Sequence, residues 1–190
     1  MQGFTLLEML AALSLLGLLM VLVASSFKGT SKVAEQSTRN AARLEQVHAA
    51  QRFLRQSIEG IRESPSFVGH AQALEYIAPV PMGLGGLPRL HRLQFLPDQA
   101  GHWALQVAFF DPDNGKPWGE PQVLADRLRD VHLAYRGLDD MHRESGWLEH
   151  WPWSARLPQV IRIQAQAEGN VQWTTLSVVL RTTQLTGIGQ

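Results

Sequence analysis

The sequence contains no cysteine. That excludes a disulfide framework, a thiolate metal site and a cysteine nucleophile, and leaves the compartment open. It also lacks a charge surplus, with 17 Lys+Arg against 17 Asp+Glu. A nonspecific nucleic-acid binder needs excess cations to neutralise phosphates, so no nucleic-acid partner is expected. Charged residues are only 18% of the chain and hydrophobic ones 45%, which excludes general disorder. No HExxH pair, GxSxG elbow or P-loop occurs. His48, His70, His91, His102, His132, His142 and His150 are scattered, with no close-spaced ligand set. Gly83-Leu84-Gly85-Gly86 lacks the Gly-Lys-Ser/Thr ending of a phosphate cradle. Neither an enzyme active site nor a cofactor is expected. The 190 residues suffice for one core without metals or disulfides.

What is present is unevenly distributed. Residues 1–27 carry a single charge, Glu8. Residues 28–63 hold seven cations and four anions, and residues 64–190 hold ten and twelve. The 21 residues Phe4 to Ala24 are nearly all apolar. As a helix they would be roughly 31 Å long, matching a hydrocarbon core of about 30 Å. A cleaved secretory signal fits poorly. The apolar run is too long, Met1-Gln2 offers no cation, and no clean small-x-small site follows. A retained membrane helix is therefore expected. Within it, a carboxylate at Glu8 costs about 2.5–3.5 kcal/mol, which marks it as functional. An α-amino group created by cleavage before Phe4 would supply its partner, on this chain or a neighbour.

No Gly or Pro interrupts Thr30 to Glu59, and Ser64-Pro65 ends the helix. Leu44, Val47, Gln51, Leu54, Ile58 and Ile61 recur at spacings of three and four, a stripe suited to packing on a sheet. Ser25 to Arg43 is more polar and reads as a spacer. Runs and alternation predict strands over 74–78, 89–96, 103–110, 131–136, 159–167 and 171–181. Glu168-Gly169-Asn170 predicts a tight hairpin. The expected fold class is α+β: a long N-terminal helix, half membrane and half amphipathic, packed on an antiparallel β-sheet domain.

Asp111-Pro112-Asp113-Asn114-Gly115 has the composition of a calcium loop. Its Gly comes one residue early for an EF-hand, and a hairpin turn accounts for it equally well, so no metal is expected. Asp139, Asp140 and Glu144 read as a solvated loop. Trp147, Trp151 and Trp153 cluster beside His150 as core residues or as partner anchors, with a carbohydrate platform a weaker third reading.

Gly3-Phe4-Thr5-Leu6-Leu7-Glu8, opening an apolar helix, resembles the class III prepilin signal of type IV pilins and type II secretion pseudopilins. Phe67-Val68-Gly69, Leu74 to Pro79, Gly86-Leu87, Val123 to Asp126, Leu133 to Tyr135, Trp151-Pro152-Trp153 and Leu157 to Arg162 resemble the J minor pseudopilins. The resemblance spans almost the whole chain and implies a pilin-like fold. It implies cleavage by a prepilin peptidase between Gly3 and Phe4, N-methylation of Phe4, and an assembly role for Glu8. The domains would be a leader (1–3), a transmembrane assembly helix (4–24), its continuation (25–63) and a periplasmic β-rich domain (64–190). It implies a single-pass inner-membrane subunit at the pseudopilus tip, with the I and K pseudopilins as neighbours. A minor pilin of a type IV pilus is the alternative. One feature departs from the pattern: the leader Met1–Gly3 has no basic residue. Either the start lies upstream or insertion follows other signals. Lys28 and Lys32, read alone, would put the C-terminal part inside; the motif takes precedence.

Overall fold

Among the described residues, seven strands follow one helix in chain order. Helix α1 (Leu6–Glu59) comes first, then β1 (Val68–Gly69), β2 (Ala73–Pro79), β3 (Pro88–Pro97), β4 (Trp103–Phe110), β5 (Gln122–Arg136), β6 (Val160–Ala167) and β7 (Leu176–Val179). A short 3-10 turn, Met82–Leu84, lies between β2 and β3. The computed structural model describes residues 6–61, 67–169 and 171–180. Before residue 37 it describes side chains only at 9, 10, 13–17 and 20. Every strand pairs antiparallel with its neighbour in sequence, so the sheet order is the chain order. The class is α+β with an antiparallel sheet, as the alternating patterns predict. Two compact units are present, Met1–Arg43 and Leu44–Gln190. The division falls at the change from the polar segment 25–43 to the apolar stripe.

In the second unit the stripe of α1 meets the inner face of the sheet. Val47, Ala50, Leu54 and Ile58 are buried with Leu74 and Tyr76 of β2, Leu93 and Phe95 of β3, and Leu105 and Val107 of β4. Period 3.6 on the helix and period 2 on the strands bring these residues to one interface. The polar member of the stripe is accommodated: Gln51 Nε2 donates to the Thr174 carbonyl at 2.8 Å. Leu44 departs from the expectation, being 42% exposed. It has the right phase but stands one turn beyond the last residue the sheet covers. Ala50 and Ser57 join the buried face instead.

β5 is more than twice as long as the sequence pattern indicates. Only 131–136 alternates visibly, yet the strand begins at Gln122. Its first half pairs with β4 and its second with β6, with register shifts near Leu105 and between Arg129 and His132. Arg127 and Asp130 take left-handed φ values of 45° and 50°. Each irregularity adds a residue to one strand, so Ala125, Leu128 and Val131 point inward every third position. β7 is correspondingly shorter than expected. The tight hairpin expected at Glu168-Gly169-Asn170 is replaced by a longer connection, since residues 168–175 separate β6 from β7 and pairing starts at Ile163↔Leu176. The paired ladder begins only at Leu176, because Val171 and Trp173 turn into the core instead of extending the strand.

Ser57, Tyr76 and His91 place polar groups in the core under the helix. Ser57 Oγ and Tyr76 Oη lie 2.7 Å apart, and Ser57 also donates to the Leu54 carbonyl at 3.3 Å. His91 is fully buried, stacked on Tyr76 at 5.0 Å and edge-on to Phe109 at 4.9 Å. Its Nδ1–H donates to the Arg89 carbonyl at 2.9 Å, and Nε2 has no partner. Burial pushes the His91 pKa down, opposed by the bond to Arg89. The unfolded chain takes up a proton below about pH 6.5 that the folded chain refuses. Folding stability is therefore expected to fall as pH drops below about 6.5, by at most about 1.4 kcal/mol per pH unit. Urea midpoints between pH 7.5 and 5.5 measure it, and His91→Phe should flatten that slope.

Candidate functional site

The N-terminal residues form the first candidate site. Gly3 and Phe4 lie outside the described residues. Glu8 lies on the backbone of α1, and its side chain is outside the described set. Farther along, Met9, Leu10, Leu13, Leu15, Leu16 and Met20 are each more than half exposed. Successive residues are 100° apart on a helix, so Met9, Leu13, Leu16 and Met20 share an arc of about 60°, with Leu10 and Leu15 to either side of it. A large apolar surface of this kind marks a site that another molecule or a lipid phase covers. Among the described residues, no helix is long and apolar enough to cross a membrane.

The tryptophan cluster splits. Trp151 is buried, its Nε1 donates to the Arg156 carbonyl at 2.7 Å, and its ring meets Trp153 edge-on at 4.7 Å. Gly137 explains part of this packing, since a Cβ there would come within 2.9 Å of the Trp151 ring. Trp151 and Trp153 therefore serve the core. Trp147 is at the surface, with the Arg162 guanidinium 3.6 Å above its ring. The core reading holds for Trp151 and Trp153, whereas Trp147 lies at the surface against Arg162 of β6.

The oxygen-rich loops are occupied by their own turns. Asp111 Oδ1 accepts from the backbone N–H of Asp113 at 3.0 Å and of Asn114 at 3.3 Å. Its other oxygen lies 3.4 Å from Arg89. Gly115, at φ 67°, returns the chain, and its N–H donates to the Asp111 carbonyl. This is the hairpin that Pro, Asp, Asn and Gly predict. Asp139 likewise accepts from the N–H of Met141 and Arg143 and pairs with the Arg143 guanidinium at 3.0 Å. Those backbone bonds and the Arg143 charge hold its carboxyl below the usual range. Among the described residues, no three His, Asp or Glu side chains are grouped to hold a metal ion.

An exposed apolar loop has no counterpart among the sequence candidates. Met82 is 88% exposed and Leu87 also stands out from the surface. Residues 77–88 carry no charge. The turn is shaped by Gly85 and Gly86, at φ 100° and 67°, and closed by the Val80 N–H donating to the Leu87 carbonyl. The signal available in sequence was the pairing of glycines with uncharged apolar neighbours.

Comparison with known proteins adds to this geometry. A family model described as the prokaryotic N-terminal methylation motif matches residues 1–24. Type II secretion system protein J of Xanthomonas campestris pv. campestris is 32% identical over 94% of this chain and 92% of its own length. Similarity at that level over nearly the full length of both proteins, together with the methylation motif, shows that this chain belongs to the type II secretion system protein J family and is a minor pseudopilin.

Proposed function

We propose that the chain is a non-enzymatic structural subunit at or near the pseudopilus tip, supporting export of folded proteins across the outer membrane. The observation that carries this is Glu8, the one charge in residues 1–27, placed five residues after Gly3 within the methylation motif. Prepilin peptidase would cut between Gly3 and Phe4 and methylate the Phe4 amine. The segment 4–24 anchors the chain in the inner membrane with the sheet domain in the periplasm. On extraction into the filament, Glu8 pairs with the Phe4 amine of an adjacent subunit, which offsets the cost of an apolar surrounding for both charges. The exposed apolar side chains from Met9 to Met20 support packing among neighbouring helices. The I and K pseudopilins are the neighbours this reading expects. The type IV pilus alternative is not favoured, because the full-length similarity is to a secretion protein.

Glu8→Ala tests the charge pair. The variant should fold its sheet domain and reach the membrane, yet crosslink to I and K pseudopilins far less than wild type. Normal incorporation of Glu8→Ala would overturn the pairing.

A further inference from the structure

We propose that His70 and His150 form a two-imidazole binding site for a divalent transition-metal cation of the zinc, nickel and copper class. The residues are 80 positions apart, and their Nδ1 atoms lie 3.1 Å from each other. Their ring centroids are 4.8 Å apart at an interplanar angle of 26°. The rings are stacked. An ion bound by both nitrogens would sit about 2 Å from each, the length of a Zn–N bond. A tetrahedral ion at that bond length spaces two ligand nitrogens about 3.3 Å apart, close to the separation seen. Without an ion, the two nitrogens at this distance share a single N–H···N bond.

The backbone holds both rings in place. The His70 N–H donates to the Ala73 carbonyl at 2.8 Å, and the His70 carbonyl accepts the Tyr135 hydroxyl at 2.9 Å. On the other side, the Trp151 N–H donates to the Gly69 carbonyl at 3.0 Å, and Leu148 and Tyr135 exchange two backbone bonds. Gly69 permits this approach, since a Cβ there would fall 2.6 Å from the Tyr135 ring. Such anchoring lowers the ordering cost of chelation. Both imidazoles are exposed, so an ion has access from solvent. The neighbouring Glu149 carboxylate lies 3.9 Å from His132 Nε2. Among the described residues no third ligand is grouped with the pair. Water therefore fills the remaining positions, and affinity should follow the order Ni²⁺ below Cu²⁺ and Cu²⁺ above Zn²⁺.

Titration of the untagged full chain in detergent with Zn²⁺ alone, and then Cu²⁺ alone, tests this by calorimetry. One saturable site per chain is expected, tighter for Cu²⁺. His70→Gln and His150→Gln should each weaken it about ten-fold or more, with His48→Gln and His142→Gln unchanged. Unchanged thermal midpoints of the four metal-free variants would show that the fold is retained. Absence of saturable binding up to millimolar ion overturns the proposal, as does wild-type affinity in either of the first two variants. Neither result would touch the assembly reading, which does not depend on these residues.

Discussion

Gly3→Val is expected to leave essentially the whole population uncut and to abolish secretion that depends on this subunit. A branched side chain next to the scissile bond occupies space that Gly3 leaves free, and it removes the backbone freedom of glycine. The consequence goes beyond the loss of three residues. The Phe4 amine exists only after the cut, so an uncut chain presents Glu8 with no cation at its depth. An unpaired carboxylate there costs about 2.5–3.5 kcal/mol, enough to reduce incorporation roughly a hundred-fold. Intact-mass measurement is the right assay, because removal of Met1, Gln2 and Gly3 scarcely moves a band on a gel. Wild type should show the cut, singly methylated chain, and Gly3→Val the full-length one. A cut and methylated Gly3→Val chain with normal secretion would defeat the processing proposal.

Leu54→Ala is expected to destabilise the sheet domain by about 3–5 kcal/mol, the range for removing a buried leucine that its surroundings cannot refill. Leu54 is fully buried. It shares one apolar space with Leu74, Leu93, Phe95, Leu105, Leu133 and Ile163, which come from five different strands. Strands locked in a hydrogen-bonded sheet cannot close around a smaller side chain. Leu44→Ala is the matched control on the same helix, and its exposure predicts a change within about 0.5 kcal/mol. Urea unfolding of the two variants compares them directly. Equal losses would mean that the helix presents a different face to the sheet.

Much of the sheet is legible in the sequence because its strands follow a simple rule. β2, β3, β4 and β6 alternate inward and outward residues, and their core positions can be read directly. β5 breaks that rule where bulges insert extra residues, so its first half gives a spacing of three that resembles neither strand nor helix. That β6 and β7 are separate strands is legible from composition, while the length of their connection and of the second strand is not. Val171 and Trp173 have strand-like side chains but are drawn into the core. Leu44 shows the same limit on the helix: phase is a property of the sequence, whereas coverage depends on where the sheet ends. The tryptophans required burial to separate, since Trp147, Trp151 and Trp153 share a short stretch of sequence and not an environment.

The sequence by itself determined the N-terminal methylation motif and the kind of fold. A cleavage motif, an isolated carboxylate in an apolar run, and the change from period 3.6 to period 2 are all local patterns that short spacings encode. Only the tertiary structure decided which distant groups meet. His91 became an enclosed neutral imidazole, and His70 and His150 came to face each other across 80 residues. Such contacts depend on how backbone hydrogen bonds close one loop onto another, and that geometry is set by the packing of the whole sheet.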